Sequence, residues 1–204
     1  MNEMNRVINW FGVAAGVTTL LVVAVSFFVP WWQLTVGEDL VQVNASPVNT
    51  NFGLFGTPFT VPMIWALNLI CILTLVTSGV IMLLYSVVPT KPYSKELLGF
   101  SYKKPLYVVV AFLVGLIAIT SIAGALGLNL PLMGTANVSL PTNFTLGANI
   151  SASVLAGFLF PFWLAIAAAA LCIGARLYHR RVVAQKTDSV APLESNQNLT
   201  ASAS

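Results

Sequence analysis

The stretch INWFGVAAGVTTLLVVAVSFFVPWW, from Ile8 to Trp32, carries no charge, and its residues 8–29 form an apolar run that stops at Pro30. At a rise of about 1.5 Å per residue a helix over that run reaches roughly 33 Å, close to the hydrocarbon thickness of a bilayer. Three more apolar runs follow, Met63 to Val88, Pro105 to Leu128 and Val154 to Tyr178, with Arg176 as their one charge. With 57% hydrophobic and 7% charged residues, the 204-residue chain has too little polar surface for a water-soluble globule. The expected fold is therefore all-α and membrane-embedded: a four-helix transmembrane bundle with a small extracellular β layer. Its segments are a tail 1–7, spans 8–29, 63–88, 105–128 and 154–178, loops 30–62, 89–104 and 129–153, and a disordered tail 179–204. The rival account of the first run is a signal peptide cut near Ala24-Val-Ser26, although the run exceeds an h-region of about 7–15 residues; cleavage would leave three spans.

Direction follows from the basic residues. Arg6, the four lysines Lys91, Lys95, Lys103 and Lys104, and Arg176, Arg180, Arg181 and Lys186 all fall on one side of the spans, whereas loops 30–62 and 129–153 hold only Glu38 and Asp39. Cytoplasmic loops retain Lys and Arg, so both termini are expected in the cytoplasm of a plasma-membrane protein. Trp31, Trp32 and Trp65 then mark the outer headgroup level, and Trp10, Tyr85, Tyr93, Tyr102, Tyr107 and Tyr178 the inner one. The basic residues anchor topology, and their lysines suit anionic lipid headgroups. Nucleic acid is not an expected partner, because the net charge of +3 is confined to membrane boundaries.

Membrane helices associate where small residues let backbones approach. Gly12 and Gly16 in the first span, Ala111 with Gly115 and Ala123 with Gly127 in the third, and the run Ala167 to Ala170 in the fourth are the expected packing faces. Asn68 is the intramembrane polar side chain that demands a partner, either a neighbouring helix or a solute path. Pro161, placed inside the fourth run, is expected to kink it. Cys71 and Cys172, at roughly 12 and 27 Å below the outer surface by helical rise, should not pair.

In the first outer loop Trp32 to Val36 and Leu40 to Val43 alternate in polarity around Gly37-Glu38-Asp39, the pattern of a β-hairpin. Val138 to Leu140 and Asn143 to Leu146 are strand-like pieces of the second. Asn44, Asn137, Asn143 and Asn149 head acceptor sequons on the outer side, while Asn198 heads one in the cytoplasmic tail. Few outer charges, sequons and scarce cysteines suit an archaeal surface facing acid. Pro30-Trp31-Trp32 leading into a strand, the short inner loop and the chain length resemble the layout of claudin-type tetraspans, which implies a four-helix bundle bearing an extracellular sheet. The first loop lacks that family's cysteine pair and Gly-Leu-Trp motif, so its junctional activity does not carry over.

Intramembrane His, Asp and Glu are absent and the sole histidine is His179, so no metal, haem or proton-carrying constellation can be assembled in the spans, and no catalytic residues or cofactors are assigned. The expectation is a non-enzymatic protein that works through contacts with lipid and with other membrane proteins or itself, as an accessory subunit or in cell-surface contact. The alternative is an oligomeric pore or a transporter of small neutral solutes lined by Asn68.

Overall fold

The computed structural model describes residues 8–37, 40–89, 91, 93–125, 127–128, 130–139 and 151–183. Five α-helices and six strands alternate along them: α1 (Trp10–Ser26), β1 (Trp32–Val36), β2 (Val41–Ala45), β3 (Asn51–Leu54), β4 (Thr57–Phe59), α2 (Pro62–Val87), α3 (Ser94–Ser101), α4 (Lys104–Ala125), β5 (Gly134–Ser139), β6 (Ser151–Phe158) and α5 (Phe160–Tyr178). A π-helical turn, His179–Val183, extends α5. Three helices are long and apolar enough to cross a membrane, and α1, with 17 residues, is shorter. Their outward faces present large side chains such as Leu67, Ile70 and Leu73 of α2 and Val114, Ile117 and Ile122 of α4, surface that suits lipid and not water.

Helix α1 starts where Asn9, in an extended conformation, accepts a hydrogen bond from Gly12 N–H at 3.1 Å, an N-cap that satisfies one of the four orphan donors of the first turn. It ends four residues before Pro30, which has no N–H to continue it. The expected span 8–29 is thus shorter as a helix. Helices α2 and α5 both begin with proline in the first turn, Pro62 and Pro161, where the missing N–H leaves nothing unpaired. Pro161 therefore starts α5 instead of kinking it. Residues 154–158, expected as helix, complete β6, because Val154 and Ala156 are buried while Ser153 and Leu155 are exposed, a period of two.

The strands form one antiparallel sheet in the order β4-β3-β2-β1-β6-β5, so the all-α expectation is corrected: both long loops contribute to a single six-stranded layer. The expected hairpin is present as β1 and β2, with Leu34 opposite Val43. What joins the two loops is the pairing of β1 with β6, from Trp32 opposite Phe158 to Val36 opposite Val154. Asn143 to Leu146 and the tail from 184 onward lie outside the described residues. One face of the sheet packs through Trp32, Leu34, Val154 and Ala156 onto Leu116 of α4. The sheet therefore caps one end of the helices, and the basic segments 91–104 and 176–181 lie at the other.

Helix α1 packs most extensively, against α2 on one side and α5 on the other, and α4 closes the group against α5 and α2. The α1–α2 seam is lined by glycine. A Cβ on Gly16 would lie 2.7 Å from the Leu83 side chain and 2.9 Å from the Gly79 carbonyl oxygen, and one on Gly12 would collide with Ser86. Helix α4 makes no such use of its small residues: Ala111 is exposed, a Cβ on Gly115 would meet nothing within 4 Å, Ala123 is half-buried, and Gly127 lies beyond the helix at φ +85°. Its buried face consists of Pro105, Val108, Val109 and Leu116, spaced at a helical repeat. In α5, Ala165, Ala168, Ala169 and Ala175 are buried.

Gly16→Leu should lower the thermal unfolding midpoint of the purified protein in detergent, at a cost of about 1–3 kcal/mol, because beside the Leu83 side chain it meets the Gly79 carbonyl oxygen, which is backbone and cannot move aside. Gly115→Ala should leave the midpoint unchanged or raise it. Equal losses would remove the seam as the basis of α1–α2 packing.

Candidate interaction surface

The sheet is fixed to the helices by two tryptophans. Trp31 is fully buried, donates from Nε1 to Ser26 Oγ at 2.7 Å, and sets its ring edge-on to Phe112 at 5.2 Å and Phe162 at 6.2 Å. Its main chain accepts from Leu159 N–H at 2.9 Å and donates to the Ala45 carbonyl at 3.0 Å, so one residue spans the neighbours on both sides. Trp32 is buried too, and its Nε1 donates to the Leu132 carbonyl at 2.8 Å. Both were expected at the headgroup level. Within the protein they fill the joint between sheet and helices, where an indole supplies a large apolar surface and a single donor that finds a partner. Trp65 and Trp10 are exposed, and Tyr85, expected as an inner marker, is fully buried.

Asn68 is also part of this joint. With its amide oriented by its neighbours, the nitrogen donates to the Ser46 carbonyl at 3.3 Å and the oxygen accepts from Thr50 N–H at 2.9 Å. It ties α2 to the segment 46–50, whose Val48 is buried in the main core, and Asn49 Nδ2 bonds the Phe27 carbonyl at the end of α1. Cys71 and Cys172 are free thiols.

Directed away from the helices, the sheet presents neutral groups. Alternation puts Gln33 and Thr35 of β1, Gln42 and Asn44 of β2 and Asn51 of β3 on this face, in register as Gln33, Asn44 and Asn51. Leu155 of β6, exposed, lies opposite Thr35 on the same face. Asn44 Oδ1 is buried and accepts no hydrogen bond among the described residues, and it faces a cavity of about 310 Å³ lined also by Gln42, Asn51, Gly53 and Gly56. As a sequon residue Asn44 is half-buried in an interior strand, Asn137 is exposed on β5, and Asn143 and Asn149 lie outside the described residues.

The two-residue turn of the β3–β4 hairpin, Phe55-Gly56, has φ of +50° and +75°. Such hairpins need left-handed backbone at both central positions and normally place Asn or Gly there; phenylalanine is strained in that region. Phe55 is 74% exposed, flanked by exposed Leu54 and Phe59. A large apolar side chain held in an unfavourable backbone region, with its surface in solvent, is a feature that folding does not require. Short β4 carries Pro58, which discourages edge pairing and leaves the turn and the outward face as the presented surface.

Residue-level reading of the sequence missed Phe55, whose Gly-flanked position in Leu54-Phe-Gly56 was the available signal. It also missed Asn9. That side chain is fully buried and its Nδ2 donates to Tyr85 Oη at 2.9 Å and to the Ala175 carbonyl at 3.1 Å, knotting α1, α2 and α5 together. A scan of family models and a search of curated proteins find no match to the chain.

Asn68→Leu should leave the half-buried Thr50 N–H without its partner and the Ser46 carbonyl with only the Thr50 hydroxyl, which bonds it at 2.6 Å, costing about 1–3 kcal/mol. Hydrogen–deuterium exchange of residues 46–50 should accelerate while that of α4 does not change. Unaltered exchange would mean that the amide does not hold the segment.

Proposed function

We propose that the protein is a non-enzymatic, four-span membrane protein whose sheet faces the cell exterior and docks another membrane or cell-surface protein. The charge partition supports the orientation: the basic segments lie at the end of the helices remote from the sheet, and positive-inside bias assigns that end to the cytoplasm of the plasma membrane. Counting α1 as a span rests on its position, lined on two sides by apolar helices, and on the half-turns that extend it through Phe28 and Val29. The layout remains similar to that of claudin-type tetraspans, with Trp31 leading into β1.

The observation that carries the docking reading is Phe55. A strained, exposed aromatic at a hairpin tip, beside a neutral polar face that costs less to desolvate than a charged one, is the composition of an interface core with its rim. The pore alternative has no comparable support, since Asn68 bonds its own chain. A glycan on Asn137, exposed on β5, fits the same orientation, whereas half-buried Asn44 is a poorer acceptor.

Phe55→Gly separates the partner role from stability. Glycine relieves a left-handed strain of about 1–2 kcal/mol, so the variant should unfold no earlier than the parent. Chemical cross-linking in native membranes followed by mild-detergent purification should nevertheless recover it without the stoichiometric partner that the parent retains. A parent that purifies alone as a monomer, or a variant that keeps its partner, would refute the docking reading. Glycan on Asn198 would refute the orientation.

A further inference from the structure

At the end of the bundle remote from the sheet, helix α3 and the close of α5 enclose a cavity of about 550 Å³. Lys95 and Lys103 line it from one side and Arg176 and Arg180 from the other, and Glu96, the one carboxylate among the described residues, does not. The aromatic ring of Tyr102 organises the cations: the Arg176 guanidinium sits 4.1 Å from its centroid and the Lys103 ammonium 5.7 Å. His179 also lines the cavity. It is 6% exposed, its ring stands edge-on to Tyr85 at 5.6 Å, and both ring nitrogens lack a hydrogen-bond partner among the described residues.

Four cations brought together at a partly enclosed site repel one another unless an anion joins them. Buried imidazole nitrogens without partners add unmet hydrogen-bonding capacity to the same place. Guanidinium forks bind phosphate oxygens bidentately and ammonium groups add point charges, a combination that suits a phosphate group. The cavity also lies where the long apolar helices give way to charge, which is the level of lipid headgroups once the helices cross a bilayer.

We propose that this cavity holds the phosphate of an anionic phospholipid headgroup. The inference rests on the membrane-spanning reading and is independent of the docking role of the sheet. Lipid fills the site from the leaflet at the basic end, with the phosphate between the two arginines and the two lysines.

Native mass spectrometry of the full-length protein in mild detergent tests it with dioleoylphosphatidylglycerol and dioleoylphosphatidylcholine as probes, and calorimetry with inorganic phosphate forms a separate arm. The parent should retain phosphatidylglycerol with about tenfold preference. Lys95→Gln with Arg180→Gln, at two exposed positions, should abolish that preference. So should Gly99→Leu, which keeps every charge but adds a side chain where glycine borders the cavity and a Cβ meets nothing within 4 Å. Lys91→Gln, outside the cavity, should not. Absence of preference in the parent overturns the proposal, and so does an equal loss in Lys91→Gln, which would reveal diffuse attraction. Saturable binding of inorganic phosphate without lipid preference overturns the lipid source. Carbonate extraction of the parent from its membrane would instead refute the membrane reading, while the phosphate arm would still report on the cavity.

Discussion

Away from water, helices are held by how closely their backbones approach and by the few polar groups that must find one another, and here both demands converge on α1. The absence of a Cβ at Gly12 lets Ser86 come against the first turn of α1, and that approach allows Asn9 N–H to reach the Ser86 carbonyl directly at 3.1 Å. The Asn9 side chain then uses both ends of its amide, capping Gly12 with the oxygen and reaching Tyr85 and Ala175 with the nitrogen. Three helices meet at one residue. A larger side chain at Gly12 would separate the backbones and leave several buried donors and acceptors unpaired at once, which is why the seam and the polar knot form a single constraint.

The consequence reaches the far end. Helices α1 and α5 pack side by side; α1 leads after a few residues into β1, β6 leads almost directly into α5, and the two strands pair antiparallel. Trp31 bonds across that transition to Ser26, Ala45 and Leu159. Helix packing and strand register are thus two readings of one chain pairing, and a slip in either would misplace the other. Segment 46–50, held by Asn68, fills the remaining gap over α1 and α2. The sheet is consequently a rigid extension of the bundle and not a loop laid over it.

How much of this was legible in the sequence depends on the range of the forces involved. Apolar runs and basic clusters are local averages, so the helices and the charged end could be read to within a few residues. The β1–β2 hairpin was readable because its partner lies a few residues away. The β1–β6 pairing was not, since it joins segments more than 100 residues apart and nothing in Ser151 to Phe158 distinguishes an apolar strand from the first turns of an apolar helix. Pro161 illustrates the ambiguity: inside a helix it kinks, at the first turn it initiates, and only the strand before it decides. Small residues misled for a different reason. Gly16 and Gly115 stand in equally plausible motifs, yet one faces Gly79 and the other open space, because motif spacing names a face of a helix without naming its neighbour. Asn9 was overlooked beside Asn68 because a residue at the end of an apolar run looks solvated until the helices around it are assembled.

The chemistry of the two ends diverges as far as the chain allows. The end with α3 concentrates cations around His179 and Tyr102, whereas the described outward face of the sheet is built from amides, hydroxyls and Leu155 without a charge. Neutral amides lack the long-range steering that charge gives, so on the docking function proposed above encounter at the sheet would depend on shape and on the apolar tip at Phe55. Association at such a surface would cost less if its orientation were already restricted. In the membrane-spanning arrangement proposed above, cations at the opposite end, joined to the sheet through the continuous α1–β1 and β6–α5 pairs, would supply that restriction by fixing the bundle relative to the plane of the lipid.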